Sequence, residues 1–192
     1  TSAVSPASQF VYATPAPTVS KAIPNQVSSL GGSAVRIFGN GFTNVTSVSF
    51  GTTPAADFTL VSDQEILATS PLIAGGEQNI FVTTAAGVNS TSPTFRFIAP
   101  PVITAVTPAQ GPTAGGATVE ITGTGLANSQ GVLFGDNQTN AISVNTDTRI
   151  VVRSTGGSAG EVNIRVIGIY ETSDVTAAAR FTYRTPPTLV SI

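Results

Sequence analysis

A phrase of twelve residues occurs twice in this chain of 192 residues. It reads GGSAVRIFGNGF at positions 31–42 and GGATVEITGTGL at positions 115–126, an offset of 84 residues. The offset holds without a gap over positions 17–82, which align with positions 101–166. A register kept over this length predicts two copies of one structural unit, because self-similarity at a fixed period marks repeated domains.

Each copy closes on a short aromatic segment followed by a proline doublet. The segments are FRF at positions 95–97 and FTY at positions 181–183, the second displaced by a two-residue insertion. FVY at positions 10–12 has the same character, and PPTLVSI at positions 186–192 resembles the opening PPVITAV at positions 100–106. The chain is therefore predicted to be a segment of a longer tandem array. Its predicted parts are the last strand of a preceding repeat (1–13), one domain (14–98), a second domain (99–184) and the first strand of a following repeat (185–192).

Apolar and polar residues alternate with a period of two in both copies, as in Val35-Arg36-Ile37 and Val119-Glu120-Ile121. Such segments recur about every 8 to 15 residues between turn formers, which favours an antiparallel sandwich over βαβ units. The predicted fold class is all-β, with tandem immunoglobulin-like β-sandwiches of about seven strands each. Proline doublets would stiffen the joints and give a rod-like array. The expected core anchors are Phe50, Phe95, Phe134 and Phe181.

One stretch of the second copy resembles a known family. The segment PVITAVTPAQGPTAGGATVEITGTGL, followed by GVLFGD, spans positions 101–136 and is similar to the IPT/TIG domain. Positions 17–98 match more loosely, because Val27 and Ser28 stand where the second copy has Gly111 and Pro112. The resemblance implies an immunoglobulin-like fold. It implies no particular role, since the family is shared by plexins, transcription factors and secreted enzymes.

The repeated glycines favour a structural interpretation. The doublets Gly31-Gly32 and Gly115-Gly116 precede a strand, where a positive φ or a close chain approach is expected. The G-x-G at Gly39 and Gly41 recurs at Gly123 and Gly125, where a bulge or tight turn would exclude a Cβ. A phosphate loop would need a following helix, a third glycine and a lysine, and none of these follows.

The composition excludes several kinds of chemistry. The chain has no His and no Cys, so neither a Ser-His-Asp triad nor a thiolate metal site can form. Lys21 is the only lysine, and the second copy has Ala105 at its position. A Ser–Lys pair or an intramolecular isopeptide bond at Lys21 is therefore not a repeated device, and a surface role is expected.

The carboxylates also fit a structural interpretation. Asp63 recurs as Asp147 near a strand start, Glu65 beside it does not recur as an acid, and Glu77 recurs as Glu161 in a predicted turn. Residues that repeat in this way are expected to form turns or protect sheet edges. The joints FIAPPV and YRTPPT carry no carboxylate, which argues against calcium between domains. The sequence predicts no catalytic residue, no metal ligand and no cofactor, and a chain that is not an enzyme.

Asparagine and tyrosine residues remain as recognition candidates. Sequons begin at Asn44, Asn89 and Asn137, although a Thr-rich chain produces several by chance. Whether they carry glycans is left open by the sequence. Tyr12, Tyr170 and Tyr183 are expected to be exposed and could take part in sugar or protein recognition. Tyr12 and Tyr183 end the FVY and FTY segments, where they more simply close a domain edge.

The leading functional hypothesis is a structural or adhesive segment of a long extracellular or cell-surface protein, such as a stalk, adhesin or filament subunit. Its expected partners are neighbouring repeats, copies of itself in a filament, and a surface protein or glycan. The alternative is an accessory carbohydrate- or protein-binding module of a secreted enzyme or a phage virion protein. A net charge of −2 opposes nucleic-acid binding, and no apolar run is long enough to insert in a membrane.

Overall fold

The computed structural model describes residues 14–187. All regular structure in that range is β-strand, as the alternating pattern predicts, and the range contains no helix. The chain divides into two compact units, Thr1–Phe97 and Ile98–Ile192, called unit 1 and unit 2 below. The strand expected in residues 1–13 lies outside the described residues, as does all but the beginning of the one expected in residues 185–192.

Unit 1 contains two layers of strands. One layer is a four-stranded sheet in the order β1-β3-β7-β6. The other is formed by two smaller sheets, ordered β10-β9-β4-β5 and β2-β11-β8. The strands are β1 (Thr18–Ile23), β2 (Gln26–Ser28), β3 (Ala34–Asn40), β4 (Val45–Phe50), β5 (Thr53–Pro54), β6 (Asp57–Ser62), β7 (Glu65–Thr69), β8 (Gly76–Gln78), β9 (Ile80–Thr84), β10 (Gly87–Val88) and β11 (Phe95–Ile98).

Unit 2 repeats this arrangement with fewer interruptions. Its sheets are ordered β12-β14-β18-β17 and β13-β20-β19-β15-β16. The second layer is continuous because β19 runs through Asn163, whereas in unit 1 the equivalent Asn79 separates β8 from β9. The strands are β12 (Val102–Thr107), β13 (Gln110–Pro112), β14 (Thr118–Thr124), β15 (Gly131–Phe134), β16 (Asn137–Thr139), β17 (Ile142–Asn145), β18 (Arg149–Arg153), β19 (Gly160–Ile167) and β20 (Arg180–Arg184).

Each unit has its own hydrophobic core with packed aromatic rings at its centre. In unit 1 the Phe50 ring lies 5.1 Å from Phe95 and 5.5 Å from Phe97, measured between centroids. In unit 2 the Phe181 ring lies 5.2 Å from Phe134 and 5.1 Å from Tyr183. The four expected anchors are all buried, and burying one such ring contributes about 2–3 kcal/mol.

The repeated G-x-G phrase is explained by a bulge in the neighbouring strand. The register between β1 and β3 shifts between Val19 and Lys21, opposite Gly39. A Cβ on Gly39 would lie 1.8 Å from the carbonyl oxygen of Thr18, and one on Gly123 would lie 1.9 Å from the oxygen of Val102. These positions therefore admit only glycine, as the expected bulge requires.

Candidate functional site

The most distinctive surface of unit 1 is the outer face of the β1-β3-β7-β6 sheet. Residues here alternate with the buried Val35, Ile37 and Ile66, so their side chains point away from the core. Ile23 and Leu67 are 49% and 41% exposed, so this face presents apolar side chains beside its charges. We call this surface face 1 and define it by Lys21, Ile23, Arg36, Phe38, Glu65 and Leu67.

Face 1 is organised around one half-buried aromatic ring. The Lys21 Nζ lies 4.8 Å from the centroid of the Phe38 ring, and the Arg36 Cζ lies 5.8 Å from it. The Arg36 Nε also donates a 2.6 Å hydrogen bond to the Glu65 Oε1. Cations close to a ring face are attracted by its quadrupole, which favours the placement of these long side chains along the sheet.

The outer face of the β12-β14-β18-β17 sheet in unit 2 carries smaller side chains than face 1 does. Face 2 consists of the residues 84 positions further on, and its side chains are mostly smaller. One ion pair crosses it, in which the Arg149 Nη2 donates to the Glu120 Oε2 at 2.7 Å. The hydrogen bond from Arg149 lowers the pKa of Glu120, and the same bond raises the pKa of Arg149. Face 2 is defined by Ala105, Thr107, Glu120, Thr122, Arg149 and Val151.

The two faces carry the same ion pair with its charges exchanged. Arg36 occupies the repeat position of Glu120, and Glu65 occupies that of Arg149. Both pairs join the central strand of the sheet to the same neighbour, β3 to β7 and β14 to β18. The exchange of arginine and glutamate is visible in the sequence when the two copies are aligned at the offset of 84 residues. A comparison of acids with acids does not reveal the exchange, because it shows only that Glu65 does not recur as an acid.

Lys21 is not positioned for covalent chemistry. Its side chain is exposed and its amine lies over the Phe38 ring, which offers no carbonyl for an isopeptide bond. This placement agrees with the expected surface role.

Asp63 stabilises a turn, as its repetition predicts. Its Oδ1 accepts hydrogen bonds from the backbone N–H of Thr43, at 3.1 Å, and from the Thr43 hydroxyl. These two bonds hold the pKa of Asp63 below its ordinary range. Asp63 also lines a shallow cleft of about 250 Å³ with Thr14, Pro15 and Thr84. The equivalent of Thr43 is Ala127, so the side-chain contact belongs to unit 1 alone.

The prediction that Glu77 and Glu161 lie in turns is wrong. Glu77 lies in β8 and Glu161 in β19, each paired with the last strand of its unit. The glycine that precedes each glutamate is the first residue of the strand and does not end a turn. Arg180 forms an ion pair with Glu161.

Asn89 is a structural residue and not an accessible sequon. It is 2% exposed, and its Oδ1 accepts a 2.6 Å hydrogen bond from the backbone N–H of Val82. Its Nδ2 donates to the carbonyl oxygens of Ile80 and Thr91, at 2.9 and 2.8 Å. The equivalent Ser173 is also buried and accepts a bond from the corresponding backbone N–H. The sequons at Asn44 and Asn137 are exposed.

The tyrosines divide between core and surface. The expected exposure of Tyr183 is wrong, because its side chain is 2% exposed and its hydroxyl donates to the carbonyl of Thr155 at 2.9 Å. Its position matches the buried Phe97, so the ring belongs to the core. Tyr170 is 42% exposed in the connection between β19 and β20. Tyr12 lies outside the described residues.

Within residues 14–187 no three acidic side chains come together as a metal site. The same part of the chain contains no helix that is long and apolar enough to cross a membrane.

Comparisons with known proteins identify the family. The family model described as "IPT/TIG domain" matches residues 17–97 and 101–183. No curated protein matches the chain's sequence. Among solved structures, the full extracellular region of plexin A4 is 17% identical with a TM-score of 0.48, covering 96% of this chain and 17% of the plexin. SGBP-B from a xyloglucan utilization locus in Bacteroides uniformis is 18% identical with a TM-score of 0.40, covering 86% of this chain and 49% of that protein.

This chain thus spans less than half the length of either of those two structures. Likenesses at this level carry no conclusion about the role of this chain. The family model matches two successive segments, at the offset of the internal repeat, that together make up most of the chain. The chain therefore belongs to the IPT/TIG domain family and consists largely of two such domains in tandem.

Proposed function

We propose that this chain is a non-catalytic structural segment of an extracellular or cell-surface repeat protein, in which sandwiches linked in series span distance and bear tension. The domains in series would be residues 14–98 and 99–184, with the neighbouring repeats as their first partners. The observation that carries the proposal is the pairing between the early and the last strands of each unit.

In unit 2 this pairing is parallel. β13 pairs with β20 in the register Gln110↔Thr182 to Pro112↔Arg184. Two backbone bonds extend it, from Thr182 N–H to Ala109 at 2.9 Å and from Thr113 N–H to Arg184 at 3.1 Å. The Arg184 Nε also donates to the Gln110 Oε1 at 2.6 Å. Unit 1 has the equivalent neighbours β2 and β11 and the equivalent backbone bond, from Arg96 N–H to Asn25 at 3.0 Å.

Covalent connectivity decides how such a pair responds to tension. Force enters a unit through its first strands and leaves it after its last strand. Pulling the N-terminal end of β13 and the C-terminal end of β20 slides the two parallel strands along each other, so all their hydrogen bonds are loaded together. An antiparallel hairpin pulled at its open end breaks its bonds one after another. The parallel pair therefore raises the barrier to forced unfolding, which is governed by the unfolding rate.

Single-molecule force spectroscopy on the tethered chain tests this proposal. We expect two unfolding events, each releasing about 300 Å of chain for a unit of this size. Arg184→Ala removes the bond to Gln110 and should lower the unfolding force of unit 2. Arg149→Ala is the matched control, because it removes a similar arginine bond away from the sheared pair. Equal forces for both variants and the parent chain would contradict the proposal.

The alternative function is an accessory carbohydrate-binding module, and the exposed ring of Tyr170 favours it. Affinity electrophoresis in gels that contain soluble polysaccharides tests this alternative. Retardation that Tyr170→Ala abolishes would support it, and unchanged mobility in every gel would contradict it.

A further inference from the structure

We propose that face 1 of one copy of this chain binds face 2 of a second copy, with Arg36 opposite Glu120 and Glu65 opposite Arg149. The contact would join neighbouring chains laterally, so it deepens the proposed structural role and rests on it. The partner of each face is the other face on a second copy of the chain. Three observations support this inference.

The first observation is charge complementarity. Two equivalent surfaces related by a two-fold axis bring each residue near the axis opposite its own equivalent. If the axis lies along the ion pair, Arg36 faces Glu120 and Glu65 faces Arg149, so both contacts join opposite charges. The same arrangement between two copies of face 1 would oppose Arg36 to Arg36. Like charges in contact are costly, so with this axis the exchange of charges favours the pairing of face 1 with face 2.

The second observation is complementarity of size. At the four positions outside the ion pairs, face 1 carries the larger side chain and face 2 the smaller one. Phe38 matches Thr122, Leu67 matches Val151, and Ile23 and Lys21 match Thr107 and Ala105. Phe38 and Leu67 lie on either side of the diagonal from Arg36 to Glu65, so an axis along that diagonal sets Phe38 opposite Val151 and Leu67 opposite Thr122. Two copies of face 1 would instead set each Phe38 ring against a leucine, and two copies of face 2 would leave gaps. Opposing a large residue to a small one allows close packing, which interfaces require.

The third observation is that folding does not choose the polarity of the ion pair. The pair forms as arginine to glutamate in unit 1 at 2.6 Å and as glutamate to arginine in unit 2 at 2.7 Å. Exposed pairs of this kind contribute little to the stability of the domain that holds them. The exchange of charges between the two units does affect a contact with another chain, because it decides which surface each face can bind.

Sedimentation equilibrium over a concentration series, combined with charge-exchange variants, tests the contact. For the parent chain we expect the average mass to rise above that of a monomer as concentration increases, and the rise to weaken with salt. The variant E120R/R149E gives face 2 the polarity of face 1, and R36E/E65R does the converse. Each should weaken association at least about tenfold, because it opposes like charges. The variant that combines both exchanges should associate like the parent chain.

Each exchange keeps an ion pair of the polarity that the other unit already contains, so the fold should persist, and circular dichroism checks this. E161R/R180E is the matched control, since it exchanges an exposed pair in the other layer and should leave association unchanged. Phe38→Thr gives face 1 the residue of face 2 and should weaken association without altering charge. A parent chain that stays monomeric, or a combined variant that fails to recover, would overturn the proposal. Neither result bears on the force measurement, which uses single tethered chains.

Discussion

At the scale of single residues, the strongest constraint is the absence of a side chain at Gly39. A Cβ there would collide with the backbone of β1, so Gly39→Ala must displace one strand. We expect a loss of about 3 kcal/mol or more in the free energy of unfolding of unit 1. Gly32→Ala is the matched control. Its φ is 76° and nothing lies within 4 Å of the added Cβ, so it should cost only about 1–2 kcal/mol.

Denaturant unfolding of both variants measures the difference. Similar losses for the two substitutions would contradict the bulge as the reason for the repeated phrase. The same comparison can be made in unit 2, between Gly123→Ala and Gly116→Ala, because the two local environments recur there.

Asn89 provides a second test at this scale. Asn89→Ala leaves the backbone N–H of Val82 and the carbonyls of Ile80 and Thr91 without their side-chain partner. We expect a loss of about 2–3 kcal/mol, since buried polar groups without partners are costly. Asn89→Ser supplies the hydroxyl that unit 2 has at Ser173 and should recover part of the loss. Equal stability of the alanine and serine variants in denaturant would contradict this role.

At the scale of elements, the alternation of apolar and polar residues predicts the strands and the aromatic residues of the core, because side-chain burial in a strand follows a period of two. It failed where a residue's surroundings depend on another element. Asn89 matches a sequon by its neighbours in sequence, yet its buried side chain accepts a hydrogen bond from the backbone of β9. Tyr183 was expected at the surface, although its equivalent Phe97 indicated the core. The bulge opposite Gly39 was expected from its glycines, but the strand that carries it could be identified only from the register.

The strand pair β14–β18 yields a prediction about its ion pair. Arg149→Glu alone places two carboxylates diagonally across the strand pair, so the unfolding midpoint of unit 2 should fall. Adding Glu120→Arg restores opposite charges in the polarity of unit 1, and the midpoint should return to that of the parent chain. Thermal unfolding at neutral pH and low salt measures both. A double variant no more stable than the single one would show that the polarity is determined by other contacts in unit 2.

At the scale of the whole molecule, the two units have separate hydrophobic clusters, and no buried residue among positions 14–187 belongs to both. A large cavity in one cluster should therefore destabilise that unit and leave the other unchanged. Phe50→Ala and Phe134→Ala are matched for this purpose, because the two rings occupy the same repeat position and are 0% and 1% exposed.

Each substitution should remove about 3–5 kcal/mol from the unit that contains it. Differential scanning calorimetry of the full chain measures this effect, with the parent trace separated into two transitions. Phe50→Ala should shift one transition down and Phe134→Ala the other, so each variant assigns a transition to its unit. A single transition that shifts equally in both variants would show instead that the units unfold as one. In a protein that bears tension, separate transitions allow one domain to open while its neighbour remains folded, so that the chain lengthens without losing its connection.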